Sequence, residues 1–292
     1  MTEIIAIVPT YNQKKFLIEG IESLLLQTFP IQRIIIIDNG STDGTVEELK
    51  SKYNSNQKIQ IIALPVNTGV VGGRNEGIKQ AGNYDYLLFF DHDMVAEPHM
   101  LEELLKTAES SENIGIVTPK IYYWENKKTI WSAGTDINLT TGQNLFRGGE
   151  DKGQYEKVEQ VGIAPAVLLT KKKVIETVGI FETIYYHSYE DTDYCFRVKK
   201  AGLKTFYTPK AIAYHKIPYD TDRANIRLLQ LSFLVARNRI IFMRKFSPHF
   251  FIFLLFIPVF LVYYIKLAIS YRKYSAISEY IKGTIVGLTI KI

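Results

Sequence analysis

Three apolar, largely β-branched runs, residues 4–8, 33–37 and 59–64, each stop at a polar turn, and each is followed by a stretch that reads as helix. No other feature of the chain restricts its fold as strongly. Runs of this length bounded by turn residues predict buried strands, and Phe16, Leu17, Ile21, Leu24 and Leu25, then residues 46–53, then residues 76–81, predict the helices between them. Strands alternating with helices imply βαβ units and a mainly parallel sheet, with the loops that follow the strands gathered on one edge. Asp43 or Thr45 is placed to cap the second helix and Asn75 the third.

A fourth run, Leu87-Leu88-Phe89-Phe90, ends abruptly in Asp91-His92-Asp93. Both carboxylates then lie just past the end of a buried strand, where open α/β sheets hold ligands. Two hard oxygen donors suit Mg²⁺ or Mn²⁺, which take one or two carboxylates and complete their shell with water and phosphate oxygens. The plainer alternative is that both acids cap a helix beginning near Pro98. Asp38, Arg74, Asp91 and Asp93 are expected to face one cleft.

Pro9-Thr10-Tyr11-Asn12, the turn from Asp38 through Thr45, Gly72-Gly73-Arg74-Asn75 and Asp91-His92-Asp93 resemble, in order and spacing, the nucleotide-sugar half of the family 2 glycosyltransferases, which have the GT-A fold. Tyr189-Glu190-Asp191-Thr192-Asp193 followed by Ala201-Gly202 resembles that family's Glu-Asp acceptor motif, and Ala213-Tyr214-His215 its closing histidine. The resemblance covers about residues 3–245 and is nearest to the rhamnosyltransferase-type branch that builds bacterial or archaeal surface polysaccharides. It implies an inverting, metal-dependent transfer. Mn²⁺ or Mg²⁺ would be held by Asp93, Asp91 and His215, with Asp91 lying toward the ribose. Asp191 would be the base, Glu190 would position the acceptor, and Pro9, Thr10, Tyr11, Asp38, Asn39, Arg74 and Asp91 would surround a UDP- or dTDP-sugar. Arg74 would pair with phosphate or hold the neighbourhood of Asp93. Asn39 stands where many uridine-sugar members carry a second acid, which leaves the base open; Ala164 and Pro165 also depart from the family's usual turn.

The chemistry is consistent with these roles. A departing diphosphate accumulates negative charge that a divalent ion stabilises, and an attacking hydroxyl needs a proton acceptor. A carboxylate near a metal is expected to be ionised at neutral pH. Other readings stay open. Glu190, Asp191 and Asp193 also suit a helix amino end, His215 a buried imidazole satisfied by backbone, and Tyr11 simple packing. His92 is expected to point away from the ion. Between the two halves, residues 114–117, 121–124 and 161–169 predict short strands, residues 131–134 and 146–149 a loop-rich insertion, and residues 140–158 a flap ordered by the donor.

Residues 250–265 carry no charge and are flanked by Arg237, Arg239, Arg244, Lys245, Lys266, Arg272 and Lys273. As helix they span about 24 Å, short of the roughly 30 Å hydrocarbon core, which favours an interfacial or re-entrant helix on an anionic membrane surface. A helical pair buried against the catalytic domain or a twin subunit is the alternative. Arg237-Asn238-Arg239 either meets an acceptor's diphosphate or is a solvated basic face. The division is a catalytic domain over 1–225, with a nucleotide-sugar half (1–110) and an acceptor half (111–225), and a helical, membrane-associating appendage over 226–292. A net charge of +5 argues for anionic lipid or phosphate and not for nucleic acid. A single cysteine excludes an intrachain disulfide framework, and the first residues lack a signal-peptide pattern. The expected partners are a nucleotide sugar and a lipid-linked glycan at the cytoplasmic face of the membrane, self-association being left open. Transfer to polyprenyl phosphate or protein, and a catalytically inactive assembly partner, are the rivals.

Overall fold

The computed structural model describes residues 2–292. Its first half is β1 (Ile4–Thr10), α1 (Lys14–Leu25), β2 (Arg33–Asp38), α2 (Thr45–Tyr53), β3 (Ile59–Ala63), α3 (Gly69–Gln80) and β4 (Tyr86–Phe90). β1 pairs in parallel with β2 and β4, and β2 with β3. The strands read as continuous apolar runs because both sheet faces are covered. Ile4, Ala6 and Val8 pack toward Leu17, Ile21 and Leu24, while Ile5 and Ile7 pack with Val71 and Ile78 on the other face. The cap position of α2 is Gly44, not Asp43 or Thr45, and Asp43 just before it accepts the Thr45 N–H at 3.1 Å.

The third helix starts earlier than its periodicity indicates, so Arg74 and Asn75 lie inside it. Asn75 caps nothing. It is buried and clamps Phe181, its amide donating to the Phe181 carbonyl at 2.8 Å and accepting the Phe181 N–H at 2.9 Å. Gly73 lets the helix settle on the loops after β1 and β2, since a side chain there would meet Asn39 Nδ2 at 2.8 Å and Pro9 Cβ at 2.9 Å. Gly69 has φ +74° and faces the Tyr186 carbonyl so closely that no Cβ fits.

The second half comprises β5 (Met94–Ala96), α4 (Met100–Glu109), β6 (Ile114–Tyr123), β7 (Thr129–Ser132), β8 (Asp136–Ile137), β9 (Asn144–Leu145), β10 (Gly149–Glu150), β11 (Glu159–Val161), β12 (Val167–Lys171), α5 (Lys172–Val178), α6 (Glu190–Lys200) and β13 (Lys204–His215). β12 lies antiparallel between β4 and β6, so the sheet is mixed. The expected pair of strands at 114–124 is one strand running through Pro119. The single strand expected at 161–169 is split into β11 and β12, between which Ala166 turns to φ +61°. Trp131 and Ser132, read as insertion loop, are the end of β7. The 140–158 segment is folded, with Gly142 against Phe253.

Five helices follow: α7 (Thr221–Gln230), α8 (Ser232–Phe246), α9 (Phe250–Leu254), α10 (Ile257–Ser270) and α11 (Ser275–Thr289). The inner face of α8, Ile240 to Met243, joins the same core as Tyr189 and Phe196. α11 lies close on α8 because Gly283 and Gly287 meet the backbone of Phe233 and Arg237. α10 is anchored by Tyr264 and Ala268 against Ala276 and Tyr280. The outer side of α9, α10 and the turn between them is open and apolar: Phe251 is 84% exposed, Leu255 74% and Val259 62%. Among the described residues Phe250–Ser270 is the one segment long and apolar enough to cross a membrane, although a turn at Leu255–Phe256 interrupts it.

Candidate active site

Asp91 and Asp93 emerge where β4 ends, and neither caps a helix, since β5 follows at once. β5 pairs antiparallel with β13, matching Met94 to His215. That register sets His215 Nε2 3.2 Å from Asp93 Oδ2, although the residues are far apart in sequence. The Trp131 ring stands edge-on to the imidazole, centroids 4.3 Å apart. Burial works against a charged Asp93, but the His215 imidazole beside it holds its carboxyl well below the usual carboxylate range. His92 turns back toward the Pro9 carbonyl, 3.2 Å from Nδ1.

Arg74 is wholly buried and faces a different acid. Its Nη2 donates to Asp91 Oδ1 at 2.7 Å, its Nη1 lies 3.7 Å from Glu190 Oε1, and the guanidinium rests over the Phe181 ring at 5.2 Å. Arg74 therefore ties the loop after β4 to the amino end of α6, so that the two halves of the chain meet at one buried cation. The guanidinium thus faces Asp91 and Glu190 and not Asp93, with its Nε and Nη1 making no hydrogen bond.

Glu190 and Asp191 open α6, their carboxyls crowded around this cation. For Asp191, burial first and the Glu190 carboxylate second outweigh the Arg74 charge, and the carboxyl is pushed up to about 7. Burial likewise raises Glu190. In the protein without ligands, burial and Glu190 thus hold the Asp191 carboxyl above its ordinary range, whereas the expectation of an ionised carboxylate applies to a site with its metal. Asp191 Oδ1 accepts the Thr192 N–H at 2.7 Å, leaving its other oxygen unengaged. Asp193, the third acid of the motif, is structural. It is buried and paired with Arg197 Nε at 2.8 Å and with Lys245.

Asp38 accepts the Ser41 N–H through Oδ2 at 2.9 Å, whereas its Oδ1 and the Thr10 hydroxyl are buried without a partner. The Asn39 amide oxygen, the expected acceptor for a base N–H, already takes the Thr68 hydroxyl at 2.9 Å. Tyr11 is exposed at the rim and is not packed beneath the loop. Thr10, Tyr11, Asn39, Asp91, Asp93, Glu190, Asp191 and His215 line one cavity of about 1110 Å³, whose lining also includes Phe256 before α10 and Val259 and Phe260 on it, whereas Asp38 and Arg74 lie behind it.

The turn before α6 holds residues that sequence reasoning did not identify as functional. Ser188 and Tyr189 both have positive φ, +68° and +69°, a conformation costing of order 1–3 kcal/mol for such residues unless their surroundings impose it. α8 imposes it. Asn238 donates to the His187 and Ser188 carbonyls at 2.9 and 2.8 Å, and Arg237 donates to the Ile184 carbonyl at 2.7 Å. Asn238 is thus a positioning residue for Asp191. Asn238→Ala is expected to lower kcat about 10- to 100-fold, the scale of a misplaced reacting group, with donor KM unchanged. Equal loss in donor KM and kcat in steady-state kinetics would contradict the role.

The donor set suits a divalent cation. Asp93 and His215 converge, His215 Nδ1 is buried without a partner, and no third His, Cys, Asp or Glu joins them among the described residues. Two protein ligands leave positions for phosphate oxygens and water, as Mg²⁺ and Mn²⁺ sites commonly do.

Comparison with known proteins agrees with this geometry. The sequence profile described as Glycosyl transferase family 2 matches residues 5–179. A poly-β-1,6-N-acetyl-D-glucosamine synthase of Staphylococcus epidermidis is 26% identical over 211 residues, 71% of this chain and 48% of that protein. The chain thus spans about half the length of the curated relatives it matches first. Among solved structures, the mannosyltransferase PcManGT of Pyrobaculum calidifontis, in complex with GDP-Man and Mn²⁺, superposes with TM-score 0.62 at 13% identity, covering 99% of this chain and 88% of that one. GalNAc-T7 with UDP, GalNAc and Mn²⁺ superposes with TM-score 0.63 at 12% identity, covering 82% and 51%. At these identities the likeness establishes the fold, a mixed α/β sheet of the GT-A type.

Proposed function

The chain belongs to glycosyl transferase family 2, and from that premise we propose that it is a glycosyltransferase that moves a sugar, with inversion, from a UDP- or dTDP-sugar to a hydroxyl of a lipid-linked glycan during surface polysaccharide assembly. The observation that carries this reading is one cleft holding an aspartate–histidine pair suited to a divalent cation, a carboxyl raised toward neutrality and an apolar helix.

Thr10 and Tyr11, which line the cavity, bind the nucleoside, and Asp38, paired beside Thr10 in the sheet, holds the turn at Ser41. Arg74 fixes Asp91 and Glu190 so that donor and acceptor lie in one orientation. Asp93 and His215 would hold a divalent cation, with Asp91 toward the ribose side, and that ion would supply positive charge against the departing diphosphate. The free oxygen of Asp191 takes the acceptor hydroxyl's proton as the hydroxyl oxygen bonds to the anomeric carbon and the bond from that carbon to the donor's phosphate oxygen breaks. A single base with no separate nucleophile fits one displacement and hence inversion. Glu190 orients the acceptor.

The open face of α9 and α10, with Lys266, Arg272 and Lys273 beside it, lies in the interface of the cytoplasmic leaflet, aromatic and aliphatic side chains down and basic groups toward anionic headgroups. The inner face of α10 is committed to packing on Tyr280 and Ala276, which favours lying in the interface over crossing it.

The test is transfer from radiolabelled nucleotide sugars in Mn²⁺ to native membrane extracts, with the product partitioned between organic solvent and water. Label in the organic phase together with release of nucleoside diphosphate is expected. Label found only on soluble glycan or protein overturns the lipid-linked acceptor, and no transfer from any nucleotide sugar overturns the activity.

A further inference from the structure

Arg239 differs from the other arginines that pack inside the molecule. Arg197 is satisfied by Asp193 and two backbone carbonyls, and Arg244 by the carbonyls of Gly287 and Ile290. Arg239 lies in the cleft wall, and among the described residues no carboxylate meets it. Its Nε and Nη1 donate to the hydroxyls of Tyr189 and Tyr280 at 3.1 and 3.3 Å, and the guanidinium is stacked on the Phe260 ring at 3.9 Å from the centroid. Nη2 makes no hydrogen bond within the protein. Beside it Tyr264, 2% exposed and lining the same cavity, has a hydroxyl with no partner. A permanent positive charge set among aromatic rings, with an unused donor and a neighbouring unused hydroxyl, has the chemistry to receive an anion.

We propose that Arg239 and Tyr264, held in place by Tyr189 and Tyr280, form a phosphoryl-binding subsite for the lipid-linked acceptor. The planar guanidinium suits phosphoryl oxygens, which accept its parallel N–H groups. Position selects the acceptor over the donor. Tyr189, which holds Arg239, directly precedes Glu190 and Asp191, and on the other side the cavity wall passes to Phe256 and Val259. A molecule lying along this wall meets, in order, a base for its hydroxyl, a cation for its phosphoryl group and an apolar surface for its tail. Arg237, the neighbouring arginine, is excluded because its guanidinium is taken by Ile184 and Asn238. The inference rests on the proposed lipid-linked acceptor and adds to it the group that reads the lipid's phosphate.

The test uses the full chain in detergent micelles and three probes: a polyprenyl diphosphate, the matching polyprenol, and inorganic pyrophosphate. Binding is measured by calorimetry for the parent, Arg239→Gln and Tyr264→Phe. For the parent, the polyprenyl diphosphate is expected to bind at least about tenfold more tightly than either the polyprenol or pyrophosphate, the margin of one charge-assisted contact. Arg239→Gln should erase the preference over polyprenol, and Tyr264→Phe, which changes one hydroxyl and keeps the ring, should narrow it. UDP binding in Mn²⁺, measured on the same samples, should stay within about twofold, well under the tenfold of 1.4 kcal/mol. Equal affinity for diphosphate and polyprenol overturns the subsite, as does a preference that survives Arg239→Gln. Pyrophosphate binding as tightly as the lipid assigns the site to free phosphate and overturns the acceptor. Parallel loss of UDP affinity in both variants assigns Arg239 to the donor and also overturns it. Preference for the diphosphate in a protein that transfers sugar only to soluble glycan separates the subsite, which then stands, from the proposed function, which does not.

Discussion

Asp191→Asn is expected to lower sugar transfer by about 10²- to 10⁴-fold, the range for loss of a general base, while UDP affinity in Mn²⁺ stays close to the parent's. The amide keeps the shape of the carboxyl and the acceptor for the Thr192 N–H, so what disappears is the proton acceptor. The parent should show the matching pH dependence. Asp191 is surrounded by Glu190 on its own helix, Arg74 from α3, Asp91 after β4 and His187 from the preceding turn, and burial together with Glu190 raises its carboxyl to about 7. A base works when deprotonated, so a raised value means that activity is lost as pH falls through it: kcat/KM should decline about tenfold per unit below about 7 and level off above. His187 adds no cationic charge at neutral pH, because burial and Arg227 push its imidazole below the usual range. Transfer that is flat from pH 5 to 8, or a variant that loses UDP binding and transfer equally, would remove Asp191 from the role of base.

Asp93→Ala has the second large effect. It deletes the carboxylate facing His215 and leaves a buried imidazole with no acid. The thermal shift produced by UDP in Mn²⁺ should vanish. In the parent, ligand at 100 times its Kd contributes about 2.7 kcal/mol, a rise in Tm of several degrees for a chain of this size. Transfer should fall at least about 100-fold, as it does when a group stabilising developing charge is removed. Running UDP, dTDP and GDP in parallel also identifies the base, which the Asn39 amide leaves open because its oxygen is already engaged by Thr68. A UDP shift of the same size with and without Mn²⁺, or one retained in Asp93→Ala, would dissociate the pair from metal binding.

The first half of the fold was legible because its information is local. A β-branched run, a polar turn and an amphipathic stretch each lie within a dozen residues, and right-handed βαβ connection then leaves little choice of topology. The Asp91-His92-Asp93 turn and the Glu190-Asp191 helix start were equally readable, since their residues are consecutive. The second half was less so. Pro119 reads as a break, yet it lies inside β6, whose pairing with β13 shifts register just beyond it, between Thr208 and Ile212. The earlier start of α3 was hidden by its glycines, which are poor helix formers in isolation but are required by contact with Pro9, Asn39 and Tyr186.

What the sequence by itself determined is the kind of chemistry, carboxylates after a buried strand and a pair of acids at a helix start, in the order of a nucleotide-sugar transferase. Only the tertiary structure decided which of those groups touch. The pairing of β5 with β13 brings His215 to Asp93, burial of α3 gives Arg74 to Asp91 and Glu190, and the packing of α8 sets Asn238 and Arg239 against the turn that precedes Glu190 and Asp191. The physical reason is common to all three. Each contact joins residues distant along the chain, and its partner is set by strand register and helix packing, quantities that no local pattern of apolar and polar residues contains.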